Sequence, residues 1–295
     1  MSEQELFTVV GIRAPQPRAQ KRKVPGKDFP WLSAAVLVGL AVLCLLAPVL
    51  TGKDPTYLDL QHCNQPPCPE FPFGTDSLGR DIFAGIWYGG RVSLTVGFLS
   101  TGIATALAIL YGSLSGVAPD WLDGLLMRFA EVFLSVPGLL LVLFLQAILG
   151  SSSVLSLCVV IGVTGWADMA KVIRTEVRQL RVSGYVTAAK CMGGGFFHIL
   201  RQHLAPNFVA SILFMVVMSV RGAIGSESTL SFMGMGLPLE TVSWGSMLSL
   251  AEKALMTGAW WSILIPGAFL IVLLLCLTSL GNYLRKSTLH SDSCL

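Results

Sequence analysis

The chain has 295 residues, of which 53% are hydrophobic and 13% charged, and its formal net charge at pH 7 is +3. Soluble domains carry about 25% charged residues, so this composition, with a mean hydropathy of +0.69, excludes an ordinary soluble globule and indicates a membrane protein. The small positive charge is explained by basic residues that orient spans, which argues against nucleic-acid binding.

Long apolar stretches predict an all-α membrane protein with six transmembrane helices. A span needs about 20 mostly apolar residues, and a helix satisfies its own backbone groups in lipid. No cleavage pattern follows the first span cleanly, so we interpret it as an uncleaved anchor. The predicted spans are 31–50, 87–111, 129–149, 154–170, 208–230 and 260–280.

Basic residues predict the orientation of these spans, because cytoplasmic segments are enriched in Lys and Arg. Fourteen of the 20 Lys and Arg residues lie in the N-terminal arm, in the segment after the fourth span or in the C-terminal tail. Both termini are therefore expected in the cytoplasm. The predicted organisation is a cytoplasmic arm 1–30, a first helix 31–50, an extracytoplasmic segment 51–86, a core of five spans 87–283 and a cytoplasmic tail 284–295.

Two cysteines lie in the extracytoplasmic segment, where a disulfide can persist. The residues are Cys63 and Cys68, and the sequence leaves open whether they are bridged. Neighbouring His62 would add a third metal ligand, but no fourth ligand is evident. We expect no metal site in this chain.

The same segment carries the string Phe-Gly-Thr-Asp-Ser-Leu-Gly-Arg-Asp just before the second span. Aspartate and serine cap free N–H groups at helix starts, and glycine favours tight turns. A turn followed by a capped helix would explain the string without any direct functional role. Its candidate residues are Gly74, Thr75, Asp76, Gly79, Arg80 and Asp81.

Pro137 and Gly138 are expected to bend the third span. The fourth span is expected to run straight past Trp166 into a basic segment, 171–206, with a helical apolar stripe at its start. Small residues, a glycine break at 193–195 and a terminating proline follow. Such a unit suits docking of a soluble partner, or an amphipathic segment lying on the membrane surface.

These features together resemble the C-type permease subunit of dipeptide, oligopeptide and nickel ABC importers. The likeness rests on the string 73–81, on 166–174, on 185–189 with Gly193, and on 203–207, and it extends from residue 73 to 285. It implies a type I importer permease fold whose cytoplasmic coupling loop is 171–206. The residues implied in ATPase coupling are Tyr185, Thr187, Ala188, Ala189, Gly193, Leu204 and Pro206.

Two positions of the coupling loop depart from the family pattern. Thr187 stands where the family has Glu, and Ala205 replaces the usual Leu before the proline. The small residues, the glycine break and the proline are retained, so the shape of the loop is expected to persist. The missing charge puts the register of ATPase docking in doubt.

The resemblance also implies partners. These are a related second permease, two ATPase subunits that hold ATP and Mg, and an extracytoplasmic substrate-binding protein, in the inner membrane of a bacterial cell. The chain has no phosphate-binding Gly-x-x-x-x-Gly-Lys-Ser/Thr loop and no evident catalytic set. It is therefore expected to be a non-enzymatic subunit that binds no cofactor itself.

Peptides are the favoured cargo, and a nickel or metal chelate is the alternative. An ion-driven secondary transporter is a different class, which commonly shows inverted repeats and mid-membrane acids. Charges in spans are expensive, so Arg221 and Glu227, which are six apart, are candidates for a gate or path. Arg128 and Glu131 share a helical face and are predicted to pair.

Overall fold

A computed structural model describes residues 29–150, 153–181, 205–238, 240–254 and 258–291. Within these ranges the chain forms helices and no β-strand, and residues from Trp31 onward belong to one compact unit. The helices are α1 (Trp31–Leu45), α2 (Ala47–Leu50), α3 (Ile82–Val117), α4 (Asp120–Ser135), α5 (Gly138–Leu149), α6 (Val154–Thr164), α7 (Ala167–Arg181), α8 (Ala205–Phe232), α9 (Trp244–Ala254) and α10 (Trp261–Ser291).

Three of these helices are long and apolar enough to cross a membrane alone, namely α3, α8 over Ile212–Phe232 and α10 over Trp261–Lys286. Two bent pairs bring the number to five if each pair is one span: α4 with α5, and α6 with α7. The α1 helix is apolar but has only 15 residues. The predicted stretches all fall on helices, whereas the total of six spans stays a prediction.

The predicted first span, 31–50, is a helix with a break near its end. The α1 helix stops at Leu45 and α2 starts at Ala47, with Pro48 in its first turn. Pro48 has no N–H to bond the carbonyl of Cys44, so the helical ladder is interrupted there. With Leu46 between them, the two helices still cover all 20 residues of the predicted span.

The bend predicted in the third span is confirmed and is sharp. The axes of α4 and α5 differ by 89°. Pro137 removes one helical hydrogen bond, and steric conflict with its ring pushes Val136 into an extended conformation (φ −93°, ψ 132°). The predicted span 129–149 is therefore two helices that meet at a corner.

The expectation that the fourth span continues straight is wrong. The axes of α6 and α7 differ by 46°, and the break lies at Gly165 and Trp166. Gly165 contributes no side chain that would favour continued helix. The turn places the Trp166 ring against those of Tyr111 and Phe133, with centroid separations of 4.4 and 5.7 Å. Aromatic packing thus accompanies the change of direction.

The fifth span, 208–230, corresponds to the unbroken helix α8. Pro206 is its second residue, where a missing N–H costs nothing because the first turn has no internal acceptor. The α9 helix was not predicted, because its 11 residues are too few for a span and include Glu252 and Lys253. The predicted span 260–280 extends as α10 to Ser291.

The central helix is α3, which packs against α1, α6, α7 and α8. Its glycines lie where neighbours come closest: an added Cβ would be 2.6 Å from Ile224 at Gly97 and 2.5 Å from the Ala170 carbonyl oxygen at Gly112. Small residues allow such close approach, which drives helix association in membranes.

We therefore predict that Gly112→Ala destabilises the bundle by about 1–3 kcal/mol, the range for overpacking. The new methyl group would meet backbone of α7 that cannot rotate away. Gly102→Ala is the matched control, because no atom lies within 4 Å of its added Cβ. Thermal unfolding of the purified protein in detergent measures both, and equal melting temperatures would contradict the prediction.

Candidate functional site

The string 73–81 forms a tight turn at the start of α3. Gly74 and Gly79 both have φ of +75°, and a Cβ at Gly79 would lie 1.8 Å from the Asp59 carbonyl oxygen. The Asp76 carboxylate accepts the Leu78 and Arg80 backbone N–H groups at 2.8 and 2.9 Å and pairs with the Arg80 side chain at 2.9 Å. The predicted turn is confirmed.

The end of this turn caps α3 and joins it to α10. Asp81 accepts the N–H of Phe83 at 2.9 Å and pairs with Lys53 at 3.3 Å. The carbonyl oxygen of Thr75 accepts the Trp261 indole N–H at 3.2 Å. All these contacts lie within the chain, and they are those of a turn followed by a capped helix.

The thiols of Cys63 and Cys68, whose pairing the sequence leaves open, are free in the structure. His62 lies 2.6 Å from Asp59, and this hydrogen bond lowers the pKa of the Asp59 carboxyl group. Among the described residues, no three His, Cys, Asp or Glu side chains are grouped closely enough to hold a metal ion.

An ion-pair network joins α7 to α4 near the opposite end of α3. The Asp123 side chain is only 4% exposed and accepts from Arg174 Nε at 2.6 Å and from Arg174 Nη2. Arg178 reaches Asp123 at 3.0 Å and Asp120 at 2.9 Å. The hydroxyl of Ser115 on α3 also donates to Asp123, so one carboxylate connects three helices.

Arg174 and Arg178 belong to the basic segment that the sequence predicts after the fourth span, but their acidic partners were not predicted. Asp123 and Arg174 are 51 residues apart, and no local pattern connects them. A possible signal was the placement of Asp120 and Asp123 in the first turn of an amphipathic helix, but nothing in the sequence indicates where their partners lie.

The predicted apolar stripe of α7 is confirmed, because its members are all buried and pack near α3 and α4. They are Ala167, Ala170, Ile173 and Val177. The coupling residues Tyr185, Thr187, Ala188, Ala189, Gly193 and Leu204 lie outside the described residues. Pro206 is the second residue of α8.

A cavity of about 460 Å³ lies between α3, α4, α5, α6, α7 and α8. Both helix breaks border it, through Pro137 on one side and Gly165 on the other. Across from them, Gly222 of α8 has no atom within 4 Å of an added Cβ. The polar lining residues are Ser100, Thr101, Thr164, Asp168, Ser219 and Ser226.

The two charged residues of α8 point in different directions, as the sequence predicts for an unbroken helix. Arg221 is exposed, whereas Glu227 is fully buried. Neither lines the cavity, so their role in a path stays a prediction. The pairing of Arg128 with Glu131 is confirmed at 3.3 Å on an exposed surface.

Long apolar helices, two of them broken beside one cavity, define this chain as a helical membrane protein. A family model described as the binding-protein-dependent transport system inner membrane component matches residues 108–290. The chain belongs to this family.

Two curated relatives come from Bacillus subtilis (strain 168). The dipeptide transport system permease protein DppC is 34% identical over 252 residues, covering 85% of this chain and 78% of the relative. The oligopeptide transport system permease protein OppC is 32% identical over 252 residues, covering 85% and 82%.

A solved structure described as inward-facing conformations of the MetNI methionine ABC transporter also resembles this chain. The TM-score is 0.54 with 16% identity, and the match covers 69% of this chain and 95% of that one. Such a likeness shows a shared fold.

We predict that Asp123→Asn destabilises the protein by about 3–5 kcal/mol, the cost of breaking a buried ion pair, because Arg174 would lose its bidentate partner. Glu131→Gln is the control: it breaks the exposed pair with Arg128 and should cost less than about 1 kcal/mol. Thermal unfolding in detergent compares them, and similar losses for both variants would refute a buried anchor.

Proposed function

We propose that this chain is one of two related permeases in an ATP-driven importer of di- or oligopeptides in a bacterial cell membrane. The names of the similar permeases from Bacillus subtilis support this cargo. A second permease, two ATPases holding ATP and Mg, and an extracytoplasmic binding protein would complete the transporter. Both termini would lie in the cytoplasm.

The anchoring of α7 is the observation that carries the proposal. Residues 182–204 connect the end of α7 to the start of α8, and they form most of the predicted coupling loop. An ATPase that moves this loop would pull directly on α7. Because the buried Asp123 carboxylate binds both Arg174 of α7 and Ser115 of α3, α4 and the adjoining end of α3 would follow α7 as one unit.

The two helix breaks supply the hinges for this movement. The α4 helix meets α5 at Pro137, and α7 meets α6 at Gly165, and both positions border the same cavity. The α5 and α6 helices pack against each other, so they would form a second unit. Rotation at both breaks would change the shape of the cavity, and nucleotide and cargo must bind the resulting states with different affinity to drive transport.

The cavity offers suitable chemistry for part of the path. Its hydroxyl groups can exchange hydrogen bonds with peptide amides, and Asp168 adds one carboxylate. Arg221 lies exposed on the adjoining helix α8, where an unburied cation can meet the path or a partner subunit. Few charges and several hydroxyls would suit cargo of varied sequence.

Reconstituted proteoliposomes test the proposed function. The vesicles would contain both permeases and both ATPases, with the loaded binding protein outside and ATP inside. We expect uptake of radiolabelled di- and oligopeptides that requires both ATP and the binding protein. Uptake of nickel chelate alone, or peptide uptake driven by an ion gradient without the ATPases, would overturn the proposal.

Within this system, we predict that Ala189→Glu abolishes ATP-dependent uptake while membrane insertion is retained. A carboxylate would replace a small side chain at the surface that is expected to contact the ATPase, and a bulky residue at Gly193 should act similarly. Ser291→Glu adds the same charge to the predicted cytoplasmic side and should transport normally. Normal stimulation of ATP hydrolysis by loaded binding protein in Ala189→Glu would count against this role.

A further inference from the structure

Glu227 is fully buried in α8 and is surrounded by serine hydroxyls from α3, from α8 and from the residue that precedes α9. Its Oε1 accepts from Ser243 at 2.7 Å and from Ser231 at 3.0 Å. Its Oε2 accepts from Ser93 of α3 at 3.1 Å and from Ser228 at 3.4 Å. Both oxygens are thus satisfied by hydroxyl donors, as burial of a carboxylate requires.

The direction of these hydrogen bonds is set by backbone groups. A serine hydroxyl has one hydrogen, and its oxygen can also accept. Three of the four hydroxyls accept from a backbone N–H, which leaves their hydrogen for Glu227. The pairs are Trp244 with Ser93 at 3.4 Å, Ser246 with Ser243 at 3.1 Å, and Leu237 with Ser231 at 3.4 Å.

This polarity matches an ionised carboxylate, which only accepts hydrogen bonds. It also places a negative charge at the N-terminus of α9, where Ser243 precedes the first helical residue, Trp244. The N-terminal end of a helix carries a partial positive charge that favours an anion. The carboxylate and the α9 terminus therefore stabilise each other.

The start of α9 lies well inside the bundle. Ser93 is 11 residues after the first residue of α3, Ile82, or about 16 Å along the helix at 1.5 Å per residue. Trp244, at the same level, is fully buried and donates from its indole to the Ile86 carbonyl at 2.8 Å. The start of α10, by contrast, contacts the turn at the beginning of α3 through Trp261. The chain between α8 and α10 therefore dips inward, and α9 returns outward.

We propose that Glu227 is a positioning residue that holds the inner tip of α9 against α3 and α8 and thereby fixes the extracytoplasmic end of the permease during transport. This inference rests on the proposed function for its role in uptake. The geometry of the joint stands independently of the cargo, so the two can be tested separately.

The decisive variant is Glu227→Gln, which retains the size of the side chain. Its amide nitrogen would bring two donor hydrogens to hydroxyls already oriented as donors, so part of the network must break. If Glu227 only filled space, glutamine would serve equally well. Glu252→Gln is the matched control, because it removes the same charge from an exposed position on α9 itself.

Thiol labelling of the assembled transporter in proteoliposomes measures the position of α9 directly. Two reporter proteins are made in a Cys63→Ser, Cys68→Ser background. One carries Ser249→Cys at a half-buried position on α9, and the other carries Leu58→Cys at an exposed reference position. We expect Glu227→Gln to raise the labelling rate by a membrane-impermeant maleimide at position 249 by at least about tenfold, the effect of losing one charge-assisted hydrogen bond. The rate at position 58 should not change.

Ser243→Ala is a milder variant that leaves Glu227 in place and removes one hydroxyl, with its 2.7 Å bond to Glu227 and the 3.1 Å bond that it accepts from the Ser246 N–H. It should also raise the labelling rate at position 249. Adding Glu227→Gln to Ser243→Ala should raise this rate by a smaller factor than Glu227→Gln does alone, because both changes break one network. Unchanged labelling in Ser243→Ala would overturn the inference even if Glu227→Gln failed to assemble.

Peptide uptake supplies the functional measurement. Glu227→Gln should reduce ATP-dependent uptake, and Glu252→Gln should leave it near the parent level. Lost uptake with parental labelling at position 249 would overturn the positioning role. If the parent transporter imports no peptide, the proposed function fails, whereas faster labelling in Glu227→Gln would still support the joint.

Discussion

A buried carboxylate paired with arginine is the interaction on which the α4–α7 end of this permease depends. Asp123 is withdrawn from water, and a buried charge is tolerated only when it is paired and hydrogen-bonded. Arg174, Arg178 and Ser115 meet that requirement from two other helices. The helix that leads into the predicted coupling loop is therefore attached to the bundle before any ATPase is bound.

Rigid attachment and local breaks are complementary in this fold. Close packing of α3 glycines against α7 and α8 leaves little freedom at those contacts. The breaks at Pro137 and Gly165 are places where helix direction already changes, and they meet at one cavity. In such a bundle, a force on α7 can be transmitted through the rigid contacts to the two breaks and can change the shape of the cavity.

Near the other end of α3, the buried Glu227 carboxylate is hydrogen-bonded by hydroxyl groups in place of cations. Ser93 and Ser243 bring α3 and the start of α9 to the same carboxylate. The donors are short serine side chains, and the N-terminal end of α9 contributes partial positive charge. Both ends of the permease thus use one buried acid to join three helices, although their partners differ chemically.

The sequence by itself determined the membrane class, the location of the helices, the capped turn at 73–81 and the bend at Pro137, because composition, helical periodicity and proline geometry act locally. It also carried the family resemblance. Only the tertiary structure showed the bend at Gly165, the short helix α9 and the partners of Asp123 and Glu227. Those features arise from contacts between residues such as Ser93 and Glu227, 134 positions apart, and local chain chemistry does not encode which distant side chains will meet.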